Sequence, residues 1–312
     1  MQRALLIVCL LISTVEAGHR VILQGGTRGK QRLVILNEDG KTEWEKKWGG
    51  IHDIHVLPNG NIMVQRMPST VVEIDPKADK VVWSYDAAKS NGNEGKRIEV
   101  HAFQPLADGT VMIAESGSAR IIEVNRDGKL LKEIKLVVNK PHHHTDTRLA
   151  RKLTNGNYLV CHEGDGAVRE YNAEGHIVWE FVVPMFGEKA KGGHGPEAFG
   201  NKCFSAVRLK NGNTLIGTGN GHSVIEVDHH KKVVWKVAQN DLPGIRLAWV
   251  TTVEVLPNGN YMIGNCHAGP GQPLLVEVEP KTKKVVWKLD RFEDFGNSVS
   301  NSQVLAAKPT LR

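Results

Sequence analysis

The sequence predicts an all-β fold: a closed six-bladed β-propeller of four-stranded antiparallel blades, with the first blade shared between the N- and C-terminal ends of the chain. Three observations predict it. An Asn-Gly or Asp-Gly turn recurs in "HVLPNGNIMV" (55–64), "QPLADGTVMI" (104–113), "RKLTNGNYLV" (151–160), "RLKNGNTLIG" (208–217) and "EVLPNGNYMI" (254–263). Anchored on Asn59, Asp108, Asn155, Asn211 and Asn258, the spacings are 49, 47, 56 and 47, a period that marks a repeat architecture. Trp83, Trp179 and Trp235 each stand 24 residues after their anchor, and Lys132 takes that place in the third unit. Finally, the two ends complement each other.

The elements of one unit follow in order. An alternating segment leads into Asn-Gly and a second apolar segment, the strongest short-range hairpin signal. After a Gly- or Ser-rich loop comes a third strand, such as "VVEID" (71–75) or "VIEVD" (224–228). A turn then precedes a fourth strand, "VVWSY" (81–85), "IVWEF" (177–181), "VVWKV" (233–237) or "VVWKL" (285–289). Four short antiparallel strands per unit are a propeller blade. The N-terminal "RVILQGG" and "RLVILNEDGKTEWEKKW" supply strands two to four, with Trp44 in the repeat position, and lack a first strand. The C-terminal "SNSQVLAAK" (300–308) matches "TTVEVLPNG" (251–259) and supplies it. Sharing one blade closes the circle and removes free sheet edges.

Residues 1–17, "MQRALLIVCLLISTVEA", carry Arg3, an uncharged run and a small-residue cleavage pattern, and are expected to be a signal peptide cut after Ala17. The run is too short to span the ~30 Å of a bilayer core. The expectation is one propeller domain over 18–312, secreted or periplasmic, without a membrane span, and monomeric. A formal charge of +6 is scattered over turn segments such as "KTKK", which reads as a solvated surface and excludes a nucleic-acid footprint. Cys161, Cys203 and Cys266 allow at most one disulfide and show no Cys-x-x-Cys spacing.

In a propeller, the loops between blades and between strands two and three open on one face, the mouth, and the Asn-Gly turns lie on the other. Seven residues before each anchor stand His52, His101, Arg148, Phe204, Thr251 and Ser300. Three adjacent blades therefore offer His, His and Arg at one level. The mouth loops "CHEGDG" (161–166), "GNGH" (219–222), "GNCHAGPG" (264–271) and the long 185–201 segment add His162, Glu163, Asp165, His222, His267 and His194. His176, His229 and His230 fall on the far face and are set aside. The triplet His142, His143, His144 enters blade four just before Asp146 and Arg148. In an extended segment these side chains alternate, so His142 and His144 share a side and His143 faces away. One segment cannot supply three ligands; a metal would need His52, His101 or His162 as partners, with Asp146 as an acceptor behind an imidazole. No metal and no cofactor are expected.

Segments such as "VVEIDPKADKVVWSYD" and "LVEVEPKTKKVVWKLD" resemble the repeats of quinoprotein (pyrroloquinoline quinone, PQQ-like) β-propellers over nearly all of the chain after the leader. "HDIHVLPNGNIMV" (52–64) is similar to a blade start of six-bladed bacterial arylsulfotransferases. In that second family a histidine carries the sulfuryl group while arginine and further histidines neutralise its oxygens. The resemblance implies a nucleophile among His52, His101 and His142 to His144, with Arg148 stabilising charge. The chain is shorter than those enzymes, and no one position matches the nucleophile.

Three readings follow. The first is a secreted propeller that binds a small anionic molecule, a glycan or a protein loop at the His/Arg mouth, through His52, His101 and Arg148 with His142, His144, His162, Glu163, His222 and His267, because a guanidinium fork beside imidazoles fits an oxyanion. The alternative is sulfuryl transfer or hydrolysis. The third, a quinone-dependent dehydrogenase, needs a Ca²⁺ cage of carboxylates and carbonyls; its usual fold has eight blades and this repeat gives six. Reconstitution with quinone and Ca²⁺ is therefore expected to give neither a stoichiometric complex nor dye reduction, and either result overturns this choice.

Overall fold

The computed structural model describes residues 18–27, 30–306 and 310–312; the expected leader lies outside the described residues. Six four-stranded antiparallel sheets form the ring. From axis to rim, blade two runs Ile54–Val56, Ile62–Met67, Thr70–Asp75 and Lys80–Asp86. Blade three runs Glu99–Pro105, Val111–Ser116, Arg120–Val124 and Leu130–Lys135, and blade four Ala150–Lys152, Tyr158–His162, Ala167–Tyr171 and Ile177–Val182. Blades five and six begin at Ser205–Arg208 and Val250–Val255. Blade one is shared as expected: Ser302–Val304 is its innermost strand and pairs with Val21–Gly25, Leu23 opposite Ser302 and Val21 opposite Val304. Among the described residues, helix is limited to a turn at Ala87–Lys89 and another at Phe292–Phe295, and no helix is long and apolar enough to cross a membrane.

The recurrent turn does two jobs. In blade two, Gly60 takes φ +86° and its N–H returns to the Leu57 carbonyl, while Asn59 Oδ1 accepts from the Asn61 N–H. The second Asn of Asn-Gly-Asn reaches sideways. Asn61, Asn157, Asn213 and Asn260 donate through Nδ2 to Glu73, Glu170, Glu226 and Glu277 on their own third strands. Each of these carboxylates is also gripped from elsewhere in the ring, Glu73 by Arg126, Glu170 by Arg208, Glu226 by Tyr261 and Glu277 by His19; in blade three, Glu123 takes Lys152 and Tyr158. The motif is thus both hairpin turn and blade-to-blade clamp. On the next strand Trp83, Trp179, Trp235 and Trp287 stand opposite these glutamates, and Lys132 stands opposite Glu123.

Burial follows the strand period. In blade two Ile62 and Val64 pack toward blade one while Met63 packs toward blade three. Six apolar clusters result, one in each seam between neighbouring blades. Inner strands are buried on both faces, so they read as continuous apolar runs; the rim strand Lys80–Asp86 has one exposed face and alternates.

The innermost strands have no sheet neighbour on the axial side, and their backbone groups are met by polar side chains four residues before the anchors. Gln303 accepts from Val56 N–H, Gln104 from Lys152 N–H and Glu254 from Val304 N–H, while His55 Nε2 donates to the Phe103 carbonyl. At the centre, Arg151 holds Asp53 with two bonds of 2.7 and 2.9 Å across the axis, and Asp53 also accepts from the Phe103 N–H. Arg312 enters from the far face, donates to the Ile54 and Ser302 carbonyls and lies 3.7 Å from Glu254. Burial works against ionisation of Asp53, but Arg151 and His55 outweigh it and hold the carboxyl well below the usual carboxylate range.

Removing residues 298–312 deletes the closing strand and the axial Arg312, and a sharply lower melting temperature is expected; an unchanged melt argues against a closed ring. Asp53→Asn leaves Arg151 buried without its counter-charge and is expected to lose about 3–5 kcal/mol in urea melts at pH 7. Because the folded pKa of Asp53 is depressed, its contribution is full above the unfolded value near ~4 and is lost as pH falls below it. The gap between wild type and Asp53→Asn therefore narrows in acid, and a gap that widens there sinks the assignment.

Candidate functional site

The mouth is built by the entry segments of the innermost strands. In blade three the ladder shifts register between Val100 and Ala102, and a similar irregularity interrupts the first strand of blade six between Val250 and Val253. Such bulges free one residue from the ladder and re-aim its side chain; here the freed residue is His101. His52 meets His101 edge to face with ring centroids 4.6 Å apart, and His144 stands 5.3 Å from His101 and 6.3 Å from His52. Arg148, 4% exposed, extends its guanidinium over the Phe204 ring at 4.7 Å. Its Nε donates to Glu163, its Nη2 lies 3.2 Å from His144 Nε2, and Nη1 is buried with no partner among the described residues. Five expected residues, His52, His101, His144, Arg148 and Glu163, thus come together.

Glu99 was not among the expected residues, and it sits in the middle of them. Its Oε2 is 2.6 Å from His144 Nδ1 and 3.2 Å from His101 Nε2, and its Oε1 is 3.5 Å from His143 Nε2. Glu99 stands two residues before His101 on the same strand, nine before the anchor Asp108, and that offset was the available signal. The same offset locates Lys202, which pairs with Glu163 at 2.9 Å, and Trp249. Trp249 takes φ +50°, an uncommon value for a large side chain, and lies against His194 and His267 with centroids 4.8 and 5.8 Å away.

The triplet is a turn. Thr145 and Asp146 N–H both return to the His142 carbonyl, so the alternation of an extended segment does not apply. His143 consequently stacks on His142 at 4.4 Å and faces Glu99, where it was expected to face away. His142 is exposed and its Nδ1 accepts from the His144 N–H. Asp146 serves the backbone, accepting from the His142 and Gly117 N–H groups, and stands behind no imidazole with its carboxylate.

Two expected residues lie inside the protein. His162 is fully buried between the Asp146 carbonyl and the Tyr171 hydroxyl, at 2.7 and 2.9 Å. His222 is buried, accepts from the Trp249 N–H at Nδ1 and donates from Nε2 to the Ala198 carbonyl, fastening the 185–201 loop to blade six. His267 belongs to the Trp249 wall. The cysteines Cys161, Cys203 and Cys266 are free and buried.

Electrostatics separate the members. Burial first, then Arg148, pushes the His101 imidazole down to about 4, and burial with Arg169 does the same to His162. Burial and the neighbouring His101 hold His52 well below its ordinary range. Burial opposes charge on Glu99, but His101 and His144 outweigh it and bring the carboxyl to about 2. Glu163 is likewise buried yet lowered, by Arg148 and Lys202. At neutral pH, Arg148 and Lys202 are balanced by Glu99 and Glu163 beside the uncharged imidazoles of His52 and His101. A cavity of about 780 Å³ opens on the far face around His55, Arg151 and Arg312, but its arginines are already committed to Asp53, Glu254 and, for Arg20, Glu43.

A six-bladed ring with this repeat and a polar mouth is a PQQ-like β-propeller. The chain belongs to the family whose model is described as outer membrane protein assembly factor BamB, matched over residues 29–289. No curated protein matches it. Among solved structures it is similar to a Bacteroides caccae protein of unknown function, at 23% identity and TM-score 0.71, covering 91% of this chain and 97% of that one. It is also similar to a catalytically inactive virginiamycin B lyase from Staphylococcus aureus with quinupristin, at 10% identity and TM-score 0.57, covering 89% and 87%. A streptogramin B lyase shows 9% identity and TM-score 0.54 over 88% and 75%. At these identities the likeness concerns the fold.

Proposed function

We propose that this chain is an exported, monomeric binding propeller whose mouth holds a small anionic molecule or the acidic group of a glycan. Arg148 carries the reading. A buried N–H donor without an acceptor costs about 1–3 kcal/mol, and Nη1 is such a donor on a guanidinium that cannot lose its charge. A sulfate, phosphate or carboxylate oxygen would satisfy it. Lys202 adds a second cation nearby through Glu163, and the aromatic wall of Phe204 and Trp249 gives the body of an organic anion an apolar surface. Export rests on the leader pattern of residues 1–17.

Sulfuryl transfer is a second reading, favoured by His52: its ring makes no hydrogen bond among the described residues, and it is held neutral beside Arg148. Its nitrogen lone pair would form an N–S bond as the S–O bond to an aryl oxygen breaks and the phenolate leaves with the electron pair.

Calorimetric titration with inorganic sulfate and with 4-nitrophenyl sulfate separates the readings. Wild type is expected to bind both, and Arg148→Ala to bind roughly tenfold or more weakly at pH 6 and pH 8 alike, since the guanidinium is charged at both. A folded Arg148→Ala that binds as wild type does overturns the mouth site. Release of 4-nitrophenolate that disappears in His52→Ala moves the assignment to transfer.

A further inference from the structure

The hydrogen bonds around Glu99 leave two acceptors facing each other. The Thr147 carbonyl can only accept, so His101 donates to it from Nδ1 at 2.9 Å, and in the uncharged ring its Nε2 presents a lone pair, whereas the protonated ring donates from Nε2 to Glu99. That lone pair points at Glu99 Oε2, 3.2 Å away, with no donor between them. Something positive belongs there. On the other side of the same oxygen, His144 Nδ1 approaches at 2.6 Å. The three atoms, Glu99 Oε2, His101 Nε2 and His144 Nδ1, lie within 4.8 Å of one another.

We propose that Glu99, His101 and His144 form a binding site for a divalent cation of the zinc class, with its remaining coordination position open to the mouth. Two imidazoles and one carboxylate are a zinc donor set when a fourth position is left for water or ligand, and an oxygen-seeking cation such as Mg²⁺ or Ca²⁺ would not select imidazole. Ligand atoms ~2.0–2.2 Å from a tetrahedral ion are about 3.3 Å apart, close to the His101–Glu99 separation of 3.2 Å, while the 2.6 Å His144–Glu99 contact is a direct hydrogen bond that must open when an ion enters. A histidine that ligates through one nitrogen and donates to a backbone carbonyl through the other is the usual support for such a site, and the bond to Thr147 provides it. Two further rings complete the surroundings, His143 beside the second oxygen of Glu99 and His52 against His101. Arg148 works against a cation, but its charge is shared with the adjacent Glu163.

Loading would also change Arg148. Without the metal, Arg148 Nη2 donates to His144 Nε2, which keeps the His144 proton on Nδ1, toward Glu99. A metal at Nδ1 displaces that proton to Nε2, so that two donors, His144 Nε2–H and Arg148 Nη2–H, then face each other. One oxygen of an anion placed between them accepts from both. This second part rests on the anion reading; the metal site does not.

The test uses the full exported chain, stripped with a chelator and titrated without sulfate. Zn²⁺ should bind at one equivalent, and Co²⁺ should give the visible absorption of a tetrahedral ion. Glu99→Gln, which keeps the shape of the side chain, should weaken Zn²⁺ binding by more than ~100-fold, well beyond the loss from removing a supporting group. His176→Ala, on the far face, should leave it unchanged. Absence of binding in wild type, or binding that survives Glu99→Gln, overturns the site. Sulfate titration with and without Zn²⁺ then reads the coupling: tighter sulfate binding with the metal supports it and equal binding overturns it. Zn²⁺ binding without any sulfate binding keeps the metal site and removes the anion reading.

Discussion

Six innermost strands converge on the axis with one edge each unpaired, and the need to satisfy those edges governs the rest of the molecule. In an ordinary sheet another strand would do it. Here there is no room for one, so side chains take over: Gln303, His55, Gln104 and Glu254 each reach to the backbone of an adjoining blade, and Asp53 and Arg151 meet across the middle. Charges placed in such a position are stable only when paired and hydrogen-bonded. The axis is consequently a polar knot inside six apolar seams, and it fixes the relative position of blade six and blades one to four far more tightly than hydrophobic contact alone, which is non-directional.

That rigidity passes upward to the mouth. His101 is bonded to the Thr147 carbonyl, Ser116 joins the Thr147 hydroxyl, and Asp146 clamps the triplet turn to Gly117. The His101 ring is thereby held by backbone, while Glu163 holds the Arg148 guanidinium and Glu99 holds His144, and such fixed supports are the condition for a site preorganised before any ligand arrives. Trp249 and His222, both at positive φ, show a different kind of constraint on the opposite wall, where the long 185–201 loop is fastened down.

Much of the fold was legible because the repeat is written in the sequence. The Asn-Gly anchors, the tryptophans and the split first blade all fall where the period places them. Trp287 was obscured only by a longer loop, and its pairing with Glu277 restores it to the series. The site was harder to read because its members are named by side-chain direction, which period alone does not give. Counting seven residues back from each anchor found His52, His101 and Arg148. Counting four back would have found His55, Gln104, Arg151 and Glu254 of the axial knot, though not Asp53, and nine back Glu99, Lys202 and Trp249. Treating His142 to His144 as extended reversed His143, since a turn closed on the His142 carbonyl erases alternation. His162 and His222 were misplaced because a histidine at a strand end looks the same in sequence whether it faces a channel or a neighbouring carbonyl.

The closing strand of blade one has a further meaning for how the protein is made. Ser302–Val304 is far from Val21–Gly25 along the chain, so the inner edge of Val21–Gly25 waits for its partner until blades two to six have been synthesised. During that interval the edge of Val21–Gly25 is open and apolar, a template for pairing with another nascent chain. Vectorial folding can complete blades two to six one after another, yet the circle remains a crescent until the last segment arrives. The final step is therefore a single long-range strand insertion, slow by its topology and protected only by whatever escorts the unfinished chain.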